Sequence, residues 1–256
     1  MKKLLIIISV LAAFSITGCE NKPKEPVRVE SGNQVEIKES SFSKIDETKG
    51  LVYDANYNAD FKAESYEISD KKFEANSIIV PFINIDTDYA IKANEEMKDA
   101  FDKMVNHFNE GVEDKTSYVD CCDYEVYETS DVLSVKFFYG LGATDVVHPK
   151  YFTYNINLME AMPLLYEEVC EICGISNDEI QTKVENAIKD YLNEDMKSFD
   201  QDEIDKYIGF SIDSYNEAVK TYTLNYCISK EGKLQIVVNI KIPAGTGEFD
   251  TLFTIE

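Results

Sequence analysis

The chain has 256 residues, and its 25 Lys plus Arg against 48 Asp plus Glu give a formal net charge of -23. Phosphate neutralisation needs clustered Lys and Arg, and Arg28 is the only arginine, so this composition argues against nucleic acid or an anionic lipid surface as partner. With 44% apolar and 12% aromatic residues the chain can still build a core.

The first elements are about export. Lys2 and Lys3, the apolar run "LLIIISVLAAFSI" and Thr17-Gly18-Cys19 supply the charged, apolar and small-residue parts of a signal peptide over residues 1–18. The apolar run falls short of the roughly 20 residues that a membrane span requires. Residues 19–44 are polar, with two prolines and no sustained period, and read as a flexible tether; "VRVE" and "VEIK" alternate and could pair within it.

The folded part opens with "LVYDANYNADFKAESYEI" and "KKFEANSIIVPFINI", both read as strands. From Ala93 to Glu110, Met97, Ala100, Phe101, Met104, Val105 and Phe108 recur at helical spacing, and Gly111 is expected to close that helix. "YEVYE" and "VLSVKFFYG" flank Thr129-Ser130-Asp131 as a hairpin, and a Gly-rich turn follows from Tyr139 to Tyr151 before "YFTYNINL". Ser176 and Glu179 form a capping box for a second helix with the stripe Ile180, Val184, Ala187, Ile188, Tyr191 and Leu192. "KTYTLNYCIS" and "KLQIVVNIK" make a last hairpin around Glu231-Gly232, with Tyr222, Leu224, Tyr226 and Ile228 on one face. Antiparallel hairpins packed by two main amphipathic helices predict an α+β fold. Its two closely joined halves are expected at 45–155 and 156–256, meeting near Asn155.

Two resemblances add to this reading. "ITGC" resembles the bacterial lipobox, whose cysteine becomes the first mature residue and carries lipid on its sulfur; that implies a lipid-anchored Cys19 on the outer face of the membrane. The order "IIVPFINID", long helix with Asn94 near its start, aromatic hairpin, Gly-Ala turn, "YFTYNINL", capped helix and "IPAGTGEFDTLFTI" resembles a family of extracellular bacterial domains. Members include the outer domain of a lysozyme-sensing anti-sigma factor (RsiV) and the non-catalytic domain of a peptidoglycan deacetylase (PdaC). The likeness implies a binding or sensing module for lysozyme-like proteins or peptidoglycan. Where that family has Gly-Gly-Ala-His, this chain has Gly140-Leu141-Gly142-Ala143-Thr144, so the role of that histidine is not carried over.

Candidate chemistry is sparse. Five cysteines follow Cys19: Cys121, Cys122, Cys170, Cys173 and Cys227, an odd number whose pairing is open. Cys170 and Cys173 have the redox spacing, but they end a short helix where the helix dipole does not activate a thiol. Asp86-Thr87-Asp88 and "DQDEID" begin like calcium loops and lack the glycine and the later ligands. No serine-hydrolase elbow, zincin motif or phosphate loop occurs, so an enzyme is disfavoured and no cofactor is expected. The expected ligand-binding residues are Tyr139, Gly140, Gly142, Asp145, His148 and Tyr151, on the premise that the Gly-rich turn exposes backbone and aromatic anchors. A metal-assisted wall hydrolase or deacetylase built on His148 and Asp145 is the rival, and a structural envelope lipoprotein the third reading.

Overall fold

The computed structural model describes residues 45–143, 146–241 and 248–256. The signal peptide, Cys19, the tether with its "VRVE" and "VEIK" pair, and Thr144-Asp145 lie outside the described residues.

The chain forms an α+β fold with antiparallel sheets. Its N-terminal strands are shorter than their sequence suggests. β1 (Val52–Asp54) pairs with β4 (Pro81–Ile83), while β2 (Ser65–Ile68) pairs with β3 (Lys71–Glu74). A 3-10 turn at Ala75–Ser77 divides the stretch read as one strand.

Helix α1 (Asp88–Asp114) begins one residue after Thr87, whose hydroxyl accepts the Ala90 N–H at 3.1 Å. The Asp-Thr-Asp that starts like a calcium loop is therefore a helix cap. The stripe of Met97, Phe101, Met104, Val105 and Phe108 is buried as its spacing requires. Burying each such side chain stabilises the fold by about 1.5–3 kcal/mol. Inside that stripe Asn94 is fully buried, and its amide accepts the Ile83 N–H and donates to the Ile83 carbonyl, tying α1 to β4.

Gly111 does not close α1. The helix runs on to Lys115, whose left-handed φ of 58° ends it. Asp114 then organises the exit, accepting the backbone N–H of Thr116 at 2.8 Å and of Ser117 at 3.0 Å, and the Ser117 hydroxyl. Those bonds hold its carboxyl well below the ordinary 3.8. A depressed carboxylate contributes stability that is present above its unfolded value and is lost as the pH falls through the folded one. Asp114→Ala should therefore lower the urea midpoint at about pH 7, and that deficit should shrink by about pH 3. A deficit equal at both pH values would show that the charge plays no part.

The main sheet has the order β5-β6-β7-β8, from β5 (Ser117–Glu128), β6 (Val132–Ala143), β7 (Val146–Asn157) and β8 (Met162–Pro163). The expected hairpin around Thr129–Asp131 joins β5 and β6. The expected Gly-rich loop from Tyr139 to Tyr151 is instead a second long hairpin, with Gly140 opposite Pro149 and Leu141 opposite His148. Glycine is poor in strands, which is why the pair reads as a turn. Here Gly142 lies under the Tyr118 ring, and a Cβ on it would come within 2.3 Å of that ring. Pro149 is tolerated because β8 pairs with β7 only at Ile156 and Asn157, so the missing N–H disrupts no ladder beyond β6.

The two faces of this sheet serve different cores. Leu133, Val135 and Phe137 of β6 with Tyr154 and Ile156 of β7 pack under α1. The opposite face presents Ser134, Lys136, Thr153 and Asn155 to a second sheet of order β11-β10-β9, made by β9 (Asn225–Ile228), β10 (Leu234–Lys241) and β11 (Glu248–Ile255). β9 meets it through its backbone. The Tyr226 N–H donates to Thr153 Oγ1 at 3.1 Å, and the Ile228 N–H to Ser134 Oγ at 2.9 Å. Ser134 donates to Asn155 Oδ1 at 2.7 Å, and Asn155 Nδ2 donates to the Tyr226 carbonyl, also at 2.7 Å.

Three further helices cover the outer side of the second sheet: α2 (Tyr166–Ile172), α3 (Asn177–Asp195) and α4 (Gln201–Lys220). Ser176 is the N-cap residue of α3 as expected, but the expected capping box does not form: its hydroxyl donates to Glu179 at 2.7 Å and accepts no backbone N–H of the first turn. α4 adds a third long helix to the two read from sequence. Its acidic start, "DQDEID", places Asp202 and Glu203 in the first turn, where the helix dipole favours carboxylates, and Ile204, Ile208 and Tyr215 supply the buried stripe. The second core takes Val132 from β6 and the first takes Ile156 from β7, from opposite faces of the same sheet.

Candidate functional site

A cavity of about 260 Å³ opens where the ends of several elements converge beside that polar joint. Tyr89 reaches it from the first turn of α1, Thr153 and Asn155 from β7, Tyr166 and Glu167 from α2, and Tyr222 from the residues just after α4. β9 supplies Asn225 and Tyr226.

Each tyrosine is placed by a local requirement. The Tyr226 hydroxyl donates to the Leu164 carbonyl at 2.9 Å, and its ring lies 5.1 Å from that of Tyr166. The Tyr166 and Tyr215 hydroxyls lie 3.1 Å apart, linking α2 to α4. The Tyr89 ring meets Tyr154 edge-on at 6.3 Å. Tyr222 was expected on one strand face with Leu224, Tyr226 and Ile228. It instead has a left-handed φ of 57° after α4, is 89% exposed, and stands at the mouth.

Burial is the main cause that raises the phenol pKa values of Tyr89, Tyr166 and Tyr226, and the carboxylate of Glu167 adds to the rise at Tyr226. These rings are neutral throughout the physiological range. Asn155, only 3% exposed, forms part of the wall with its amide fixed by Ser134 and Tyr226. The wall thus offers π faces, amides and one carboxylate among the aliphatic residues Pro163, Leu164, Leu165, Val219 and Leu224. It suits binding and orientation better than bond making.

The residues expected from sequence are dispersed. Tyr139 is 4% exposed and packs in the first core beside Phe137 and Phe152, so it cannot serve as a surface anchor. Gly140 and Gly142 are buried strand positions rather than exposed turn backbone. His148 is exposed on β7, and Tyr151 is half-buried against Phe138 on the sheet. Asp145 lies outside the described residues, so its meeting with His148 does too. His107, half-buried on α1, donates from Nε2 to the Gly142 carbonyl at 2.8 Å.

All five cysteines of the folded part are free thiols. Burial pushes Cys122, Cys170 and Cys227 up to about 12 and Cys173 to about 11, so they stay protonated and poorly nucleophilic at neutral pH. Cys170 and Cys173 sit at the end of α2 as their sequence implies. Among the described residues no group of three or more His, Cys, Asp or Glu could hold a metal ion, and no helix is long and apolar enough to cross a membrane.

The cavity escaped the sequence reading because its tyrosines come from four separate segments. One signal was available: Tyr89, Tyr166, Tyr222 and Tyr226 fall at element ends. Compared with family models, curated proteins and solved structures, the chain matches none of them.

Proposed function

We propose that this chain is a lipid-anchored, non-enzymatic module of the cell surface that captures a basic wall-associated protein, with a lysozyme-like protein as the partner that the family resemblance implies. The observation that carries the reading is the pairing of a tyrosine-lined cavity with a formal charge of -23, which falls to -25 once Lys2 and Lys3 leave with the signal peptide. Such a field accelerates encounter with cationic proteins, while the cavity supplies a place for a specific contact. The lipid on Cys19 would keep the module at the membrane face, and the tether would let it reach the wall.

The test is calorimetric titration of the chain from residue 20 onward with lysozyme, at low and at physiological salt, beside an unrelated protein of similar positive charge. Saturable binding that persists in salt and is absent for the control is expected. Binding that disappears with salt, or that the control reproduces, would reduce the acidity to a contribution to solubility. A second reading is a peptidoglycan ligand, favoured by the amides of Asn155 and Asn225 beside tyrosine rings. Muramyl fragments titrated in the same cell distinguish it.

A further inference from the structure

We infer that the cavity is an aromatic cage for an organic cation, the ammonium or guanidinium group of a lysine or arginine side chain on the partner. This rests on the reading of the cavity as the ligand seat.

Four observations converge on it. Tyr89, Tyr166, Tyr222 and Tyr226 line one small space, and the negative face of a neutral phenol ring attracts a cation that comes within about 6 Å of its centre. Glu167 is the only charged side chain on the wall, and it is exposed at the rim. Val219 and Tyr222 bring the C-terminal end of the 20-residue helix α4 to the cavity, and that end carries partial negative charge. The one cation in that last turn, Lys220, lies 3.8 Å from Glu217. Finally, 260 Å³ is below the roughly 300–1,000 Å³ of sites for drug-sized ligands, so the space suits one side-chain head rather than a run of sugars.

One feature opposes the assignment. The N-terminal end of α2 also faces this region, and its partial charge is positive. Glu168 answers it by accepting the Leu165 N–H at 2.7 Å, and Glu167 occupies the same turn. An anionic ligand would meet Glu167 directly. A neutral apolar side chain would fill the space but gain nothing from the carboxylate.

The experiment uses the full chain in a non-ionic detergent and follows binding by nuclear magnetic resonance. The probes are N-acetyl-arginine methylamide, N-acetyl-lysine methylamide, choline, and N-acetyl-citrulline methylamide, the neutral isostere of the first. The arginine or lysine probe should bind about tenfold more tightly than citrulline, and Tyr222→Leu and Glu167→Gln should each weaken it by about threefold to tenfold. Both positions are exposed, so neither variant threatens the fold. Equal binding of citrulline, or cation binding that ignores both variants, overturns the cage. Choline binding more tightly than either side-chain probe overturns the side-chain assignment in favour of a quaternary ammonium head group. The two levels separate cleanly: small cations that bind while lysozyme does not support the cage and remove the proposed partner. Lysozyme binding that is unaffected by Tyr222→Leu removes the cage and leaves the partner.

Discussion

Replacing Gly111 by alanine should destabilise the protein by about 3 kcal/mol, although helix propensity alone predicts a gain of about 1 kcal/mol for that exchange. The new methyl would lie 1.9 Å from the Ser117 carbonyl oxygen and 2.4 Å from the Tyr66 hydroxyl oxygen. The first is backbone, held in place by Asp114 and by the pairing of Ser117 with Ala143, and cannot swing aside. The second donates to that same carbonyl at 2.8 Å, in a fully buried bond. Overpacking costs about 1–3 kcal/mol, and a buried acceptor left unpaired costs about 1–3 more, so sterics outweigh propensity. Urea denaturation of Gly111→Ala gives the answer: a midpoint that falls sharply supports the close approach, and one that rises refutes it.

The second large effect is asymmetric. Lys136 projects from β6 into the joint between the sheets with its side chain only 5% exposed, 3.1 Å from Glu125 and 2.9 Å from Gln235. Glu125→Ala leaves the ammonium buried with only the Gln235 amide and the Phe138 ring, 5.6 Å away, for company, and should cost about 3 kcal/mol. Lys136→Met leaves Glu125, which is 31% exposed and can turn to water, so its cost should be nearer 1 kcal/mol. Combining the two should recover most of the loss, because an apolar residue of similar volume replaces a buried ion. A double-mutant cycle by urea denaturation reads this directly. Equal and additive losses from the two single variants would refute the coupling.

The contrast between these two sites and the cavity shows what the sequence could convey. The α1 stripe, the Thr129–Asp131 hairpin and the start of α3 at Ser176 were legible because each depends on spacing within one segment. α4 is hard to read from sequence because its start, "DQDEID", has the composition of a cation loop, and the period of Ile204, Ile208 and Tyr215 emerges only from the end of that stretch onward. The hairpin containing Gly140 and Gly142 was misjudged because a glycine needed for a neighbour's ring looks the same in sequence as one needed for a turn. Gly111 shows the same ambiguity. The candidate site depends on which element ends meet, and that is decided by the stacking of two sheets through Ser134, Thr153 and Asn155. No periodicity within one strand encodes that meeting.

β9 is a short strand at the rim of its sheet, and such rims are where one molecule adds a strand to another. Its Tyr226 N–H, Tyr226 carbonyl and Ile228 N–H are already taken by Thr153, Asn155 and Ser134. That rim therefore offers no template for a neighbouring copy, however densely copies are arrayed. Protection against edge-to-edge polymerisation comes here from side chains of another layer, without the lysine, proline or bulge that edge strands more often use.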